Sequence, residues 1–519
     1  MKQIYFKYSL MILIIFVALL LRTWDLDLRP MHGDEAINAF KLADLLIENQ
    51  YNYNPNEYHG PALYYFSLPF LWTGNINNIT EFNAEILRAI PLTFGIGLIL
   101  LLFVFKTNQT RDHLWFSALI AAVSPAFVFY SRYFIHEMMF VFFTYAFVFS
   151  FAGFIEKQSR VMSISSGLFL GLMIATKETW TIIMAAFALT IFILYLFKLI
   201  PRDYFRNVLD SKIDWMFMVA STGIVILLFY TSFLNDLNGL SRFLDSFSVY
   251  FNRGIQTDQH NYPWYKYLEW ILFYRSGGSF FSELFVLLCA IPGIIFVFKN
   301  PDTDNFVISG KIIAIFSLLN LMLFSALPYK TPWNMLTFWF GFIVLSGYSL
   351  AFFNQKLNQK KQIIFWVLIS AGFLQLSWES IRINYVDYDR ASNPYAYAQP
   401  VREIEELVES VHQIVEKNME YAGFYSEVIA PGNDYWPLPW YFRDIKNIGW
   451  YNHVDTLQAP APLIIINTAL KDDVLYNIYQ VPPPGRRVMY MPYRDHSFVV
   501  RSGISFDLLI QKNAWDNLN

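Results

Sequence analysis

The chain has 519 residues, of which 55% are hydrophobic, 19% aromatic and 15% charged, and its formal net charge is -3. Its 51 Phe, 33 Tyr and 15 Trp exclude a disordered chain, and the absent basic surplus argues against a nucleic-acid binder. A single cysteine, Cys289, excludes a disulfide scaffold, and a mean hydropathy of +0.34 leaves a polytopic membrane protein with a soluble appendage.

A bilayer core of about 30 Å takes roughly 20 apolar residues as helix. Eleven charge-free stretches approach that length: 8–21, 89–105, 114–130, 138–155, 161–175, 179–197, 215–233, 284–298, 312–328, 333–353 and 363–378. The expectation is an α-helical polytopic protein of about 11 transmembrane helices, within a range of 11–13. Segments 240–251 and 268–274 read as interfacial. The first stretch follows Lys2 and Lys7 like a signal peptide, but Arg22-Thr23-Trp24 offers no small-residue cleavage site. It reads as a retained anchor.

With the N-terminus cytoplasmic, the inner loops carry fifteen basic residues, and the short outer loops carry Arg132, Lys177 and Lys330. That distribution satisfies the positive-inside rule. The expected division is a membrane module, 1–378, with long outer loops 22–88 and 234–283, followed by an extracytoplasmic domain, 379–519. The tail has a helical apolar stripe over 401–415 and β-like runs at 424–430 and 463–467, so it reads as a small α/β domain.

The eleven stretches contain no Asp, Glu, Lys, Arg or His, which counts against an ion-coupled transporter. The charges gather at the outer helix ends. His32-Gly33-Asp34-Glu35 opens a helical stretch, 35–48. Asp34 as N-cap with Glu35 in the first turn is one reading, and a catalytic acid pair is the other. Tyr58-His59-Gly60-Pro61 precedes the apolar segment 62–72, and His59 reads as a turn residue, a metal ligand or a donor to phosphate. Ser131-Arg132-Tyr133 leads to Glu137. Thr176-Lys177-Glu178 is a three-residue turn whose two charges can simply pair. Tyr329-Lys330-Thr331-Pro332-Trp333-Asn334 holds one charge. A carboxylate-and-cation cluster at a headgroup plane suits a phosphate-bearing lipid substrate: the cations neutralise phosphate and the acids activate a hydroxyl. In the tail, Asp434, Tyr435, Trp436, Trp440 and Tyr441 form an aromatic patch. It reads as an interfacial anchor or domain core, or as an acceptor-binding surface.

This ordered set, with Asp434 to Tyr441, resembles the GT-C glycosyltransferases, which use polyprenyl-phosphate-linked sugars. Within them the chain resembles protein O-mannosyltransferases and aminoarabinose transferases, and most of all the prokaryotic flippase-activity-associated Agl23-like group. The resemblance implies a GT-C-like fold and an inverting sugar transfer from a polyprenyl-phosphate donor to a glycan, lipid or protein hydroxyl. It implies Asp34 as base, Glu35 as its neighbour, Glu137 as a second acid, and Lys177 and Lys330 on the donor phosphate. The aminoarabinose transferases carry an acidic-Lys-Pro triplet where this chain has His59-Gly60-Pro61, so that loop lacks its lysine. His59 stands in place of the acid, which allows a divalent metal site shared with His260 of the 234–283 loop. A lipid-linked-sugar translocation factor without transfer activity is the competing expectation, as is a non-catalytic assembly partner.

Overall fold

The computed structural model describes residues 2–56, 59–104, 113–255, 261–300, 305–418 and 424–518. In chain order the membrane part runs α1 (Lys2–Thr23), α2 (Gly33–Glu48), α3 (Ala62–Thr73), α4 (Ala84–Val104), α5 (His113–Val123), α6 (Pro125–Ser131), α7 (Glu137–Lys157), α8 (Arg160–Ile174) and α9 (Trp180–Leu196). It continues through α10 (Arg202–Asp210), α11 (Lys212–Tyr230), α12 (Gly239–Ile255), α13 (Lys266–Leu272), the hairpin β1 (Tyr274–Ser276) and β2 (Ser279–Phe281), α14 (Leu284–Lys299), α15 (Asn305–Ala326), α16 (Leu336–Lys356) and α17 (Gln359–Ile381). Among the described residues six helices are long and apolar enough to cross a membrane. A seventh forms if the bent pair α5–α6 counts as one. Shorter apolar helices lie at Tyr8–Thr23 and at α8, α9 and α14, so each of the eleven charge-free stretches centres on a helix.

Helix α16 is the axis of this part: every residue from Leu336 to Ala351 is buried. Helices α11 and α17 lie outside, with about a quarter of their apolar windows covered. Small residues set the close approaches, as membrane helices require. A Cβ on Gly167 of α8 would lie 2.1 Å from the Met218 carbonyl oxygen of α11, and one on Gly171 would lie 2.7 Å from Val225.

The stretch 114–130 is bent, where one straight helix was expected. The axis turns by 60° at Ser124, ahead of Pro125. A proline disfavours helical backbone in the residue before it. Buried charges complement the two new helix ends. The Arg22 guanidinium donates to the Ala121 and Ala122 carbonyls at the end of α5, at 3.0 and 2.9 Å. Glu283 accepts from the Ala126 amide and the Ser124 hydroxyl at the start of α6, at 3.0 and 2.8 Å. A cation at a helix C-terminus and an anion at an N-terminus both complement the backbone dipole.

The tail folds around a sheet of β3 (Ser426–Ile429), β4 (Ile448–Tyr451), β5 (Leu463–Asn467), β6 (Tyr490–Pro492), β7 (Phe498–Arg501) and β8 (Ile504–Gln511). The order is β4-β3-β5-β8-β6, with β7 also on β8. β3 runs parallel to β4 and β5, and β8 is antiparallel to β5. Side chains alternate across such a sheet. Leu463 and Ile465 pack toward α18 (Glu403–Lys417), while Ile464 and Ile466 pack with Val474 and Ile478 of α20 (Lys471–Tyr479); a short helix α19 (Leu438–Tyr441) lies between β3 and β4. The expected α/β layering of the tail is present, and α18 occupies the expected helical stripe.

Candidate functional site

The first acidic pair opens α2, but its cap is His32. The Asp34 amide donates to His32 Nδ1 at 3.0 Å, and the His32 amide donates to Glu35 Oε2 at 3.0 Å. This reciprocal capping box satisfies two amides that a helix start leaves open. It corrects the expectation of Asp34 as N-cap. His32 Nε2 donates to the Tyr397 carbonyl at 3.1 Å, and burial lowers the imidazole's proton affinity. The ring is neutral, with its proton on Nε2.

Glu35 is 0% exposed. Arg88 donates to it through Nε and Nη2, each at 2.8 Å, and the Phe134 amide donates at 2.9 Å. Burial raises the carboxyl's proton affinity, but the Arg88 charge and hydrogen bonds, with Arg29 beyond, outweigh it and hold it at about 2. A carboxylate with four donors on its oxygens has no lone pair left for a substrate proton. Glu35 is thus a structural anchor, which corrects its place in a catalytic pair. The side chain of Asp34 is 48% exposed, with one oxygen 3.8 Å from His32 Nδ1. The two neighbours differ because α2 presents one to the core and one outward.

The second corner joins the start of α7 to the turn between α8 and α9. Lys177 Nζ donates to Glu137 Oε1 at 2.5 Å and to Asn334 Oδ1 at 3.3 Å, and both charged groups are buried. An ammonium has three donors, so one remains for a ligand. Beside it, His59 Nδ1 lies 2.8 Å from Glu178 Oε2, and the His59 ring meets His136 edge-on at 5.1 Å. Lys177 therefore pairs with Glu137, and Glu178 with His59, rather than with each other. His136 Nε2 donates to the Gly60 carbonyl at 3.2 Å; burial, then His59 and Lys177, push this imidazole well below its usual range. Gly60 has a packing cause: a Cβ there would lie 2.3 Å from the Ala175 carbonyl oxygen. The loop sits directly on the turn that carries Lys177, with no room for a lysine at position 60.

Among the described residues the partner of His59 is Glu178, and the second member of the expected metal pair is His260. His260 lies outside the described residues, as does Tyr58. Among the described residues no group of three His, Cys, Asp or Glu side chains is arranged to hold a metal ion. Lys330 is buried, in contact with the Leu327 carbonyl and 5.9 Å from the Tyr267 ring centre. Asn334 accepts from Lys177 and donates to Thr331 Oγ1 at 3.0 Å, in the turn that follows Lys330.

Aromatic rings link the corners. His32 meets Tyr133 at 5.2 Å, Tyr133 meets Trp333 at 6.3 Å, and Trp333 meets Tyr397 at 5.9 Å. The buried Tyr133 hydroxyl has no hydrogen-bond partner among the described residues and feels both Asp34 and Glu35. The tail patch closes the other side. Trp436 packs edge-on against Phe40 of α2 at 5.7 Å. The Met31 amide donates to the Tyr441 hydroxyl at 2.8 Å. Trp440 is buried under Arg443, which donates to the Ile79 and Phe82 carbonyls of the first long loop. Asp434 pairs with Arg501 at 2.5 Å. Trp440 and Asp434 are thus engaged in docking the tail and in holding its own loop. Tyr133 and Asn334 stood in the quoted motifs without a role of their own, and Arg88 and Tyr267 joined the site unannounced, although Arg88 left a sequence signal as the charge bounding the stretch 89–105.

The model of the family described as dolichyl-phosphate-mannose-protein mannosyltransferase matches residues 58–236, about a third of the chain. The match spans His59, Glu137 and Lys177 and stops short of Asp34, Lys330 and the tail. No curated protein matches. Among solved structures, ArnT from Cupriavidus metallidurans in its apo state superposes with a TM-score of 0.63 at 12% identity, covering 97% of this chain and 98% of that one. The chain has a GT-C-like fold. The same ArnT bound to undecaprenyl phosphate gives a TM-score of 0.63 at 12% identity, over 96% and 97% of the two chains. The oligosaccharyltransferase of Archaeoglobus fulgidus gives 0.58 at 12% identity, over 91% of this chain and 71% of that one.

Proposed function

We propose that this multi-pass membrane protein is a glycosyltransferase that moves a sugar from a polyprenyl-phosphate-linked donor to a hydroxyl of a glycan, lipid or protein. The observation that carries this reading is the division of the acidic pair. Glu35 is locked, and Asp34 stands beside it with an open carboxylate on a rigid helix start. In this reading eleven spans place the N-terminus in the cytoplasm and the tail, 379–519, outside, as the basic inner loops require. The subgroup is the flippase-associated one that the ordered motifs resemble.

Asp34 takes the proton from the acceptor hydroxyl as its oxygen attacks the anomeric carbon. The bond from that carbon to the phosphate oxygen breaks, with inversion, and polyprenyl phosphate leaves as an anion. The free donor of Lys177, with Lys330 behind it, offsets the charge that builds on the leaving phosphate. Glu137 fixes Lys177 in place. The matched family and the ArnT structure that holds undecaprenyl phosphate support the choice of donor.

The test is reconstitution of the full chain in vesicles with a panel of radiolabelled polyprenyl-phosphate sugars. The expected result is release of polyprenyl phosphate with one of them. No release from any donor, while lipid-linked sugars still cross the bilayer, would replace this reading with a translocation factor.

A further inference from the structure

A cavity of about 670 Å³ lies away from the acidic pair, between the end of α17, the segment that follows it, and β7. Sites for small ligands span roughly 300–1,000 Å³. On the membrane side the cavity is lined by Val386, 54% exposed, and earlier on α17 the apolar Trp378 and Ile381 are 63% and 43% exposed. The opposite rim is cationic. Arg390 spends one nitrogen on Asp387 at 3.1 Å, and Arg402 contacts the Tyr388 hydroxyl and stacks 5.3 Å from that ring. A guanidinium has five N–H donors, so both retain several. The Asp389 carboxylate also lines the cavity and accepts the Arg402 amide at 3.0 Å, so one acid faces the two arginines.

An apolar lip at a helix end below two arginines is the shape of an amphiphile site. We infer that this cavity binds an anionic glycerophospholipid, head group on Arg390 and Arg402 and acyl chains along Trp378 and Ile381, as a site separate from Lys177 and Lys330. Its inner wall is also the brace of the Asp34 loop. Ala398 and Gln399 line the cavity. Between them and the acid, Gln399 Nε2 donates to the Pro30 carbonyl at 2.7 Å, and the Tyr397 carbonyl takes His32 Nε2. Ala398 sits at φ 50°, a left-handed conformation that an alanine adopts at a cost. A lipid seated here therefore steadies the backbone that holds Asp34.

The test is native mass spectrometry of the full chain in detergent, titrated in turn with dioleoylphosphatidylglycerol, dioleoylphosphatidylcholine, undecaprenyl phosphate and glycerol 3-phosphate. One saturable phosphatidylglycerol is expected, held at least tenfold more tightly than phosphatidylcholine. Arg390→Gln should weaken it about tenfold, the scale of one charge-assisted contact, and the added Arg402→Gln should weaken it further. Arg390 is largely exposed, so the single variant tests the site without disturbing the tail. Unchanged retention in Arg390→Gln would overturn the inference. So would equal retention of the two phospholipids, equal affinity for glycerol 3-phosphate, or displacement of the phospholipid by undecaprenyl phosphate.

Discussion

Two buried acid–base pairs stand at the outer helix ends, and they are built differently. The Glu35–Arg88 pair is closed: Arg88 also donates to the Leu26 and Arg29 carbonyls at 3.0 and 2.9 Å, and Glu35 has every oxygen lone pair in use. The Glu137–Lys177 pair is open on the lysine side, with one N–H donor to spare and, around it, polar atoms of Glu178 and His136 that have no partner among the described residues. Similar residue types therefore serve two ends. The first pair fixes where α2 starts; the second keeps a charge available.

Four changes break or sharpen that comparison. The largest effect is expected from Arg88→Met, which strands the Glu35 carboxylate and should cost about 3–5 kcal/mol, read as a lowered melting temperature in detergent. Lys177→Gln comes next. It should raise the KM for the lipid donor by about 10–100-fold, the scale of one charge-assisted phosphate contact of roughly 1.5–3 kcal/mol, in steady-state transfer assays. Acid should then separate the pairs. Because the folded Glu35 carboxyl is held at about 2, below its ordinary value of 4.5, its contribution to stability is complete above pH 4.5 and falls as pH drops toward 2. Arg88→Met should lose that slope in pH-dependent melts, and Lys177→Gln should retain it. The smallest effect belongs to Tyr441→Phe, which removes one tail-to-loop hydrogen bond and should cost about 1 kcal/mol with turnover preserved, checked by calorimetry beside a transfer assay.

Much of the scaffold was legible because charge marks its edges. Arg88, Lys311 and Glu379 each bound an apolar run, and the helices hold those runs but extend past the charges, most at Lys311, where α15 begins at Asn305. β5 was legible at Leu463–Asn467, a run of apolar residues buried on both faces. What stayed hidden depends on partners far away in the chain. Nothing local says that Glu35 turns inward to Arg88, 53 residues on, while Asp34 turns outward. The phase of α2 decides it, and that phase is set by His32, a residue whose capping needs a neutral ring. Pro125 did announce the break in α5–α6, but the run of apolar residues across it concealed the signal. The role of Trp440 was equally nonlocal, since its burial depends on the first long loop reaching Arg443.

The most direct measurement compares Asp34→Asn with Glu35→Gln in the same vesicles, recording polyprenyl phosphate release and thermal unfolding for each. The account predicts that Asp34→Asn melts like wild type and loses transfer by about 10²–10⁴-fold, the usual weight of a general base, whereas Glu35→Gln lowers the melting temperature. Wild-type release from a folded Asp34→Asn protein would contradict it.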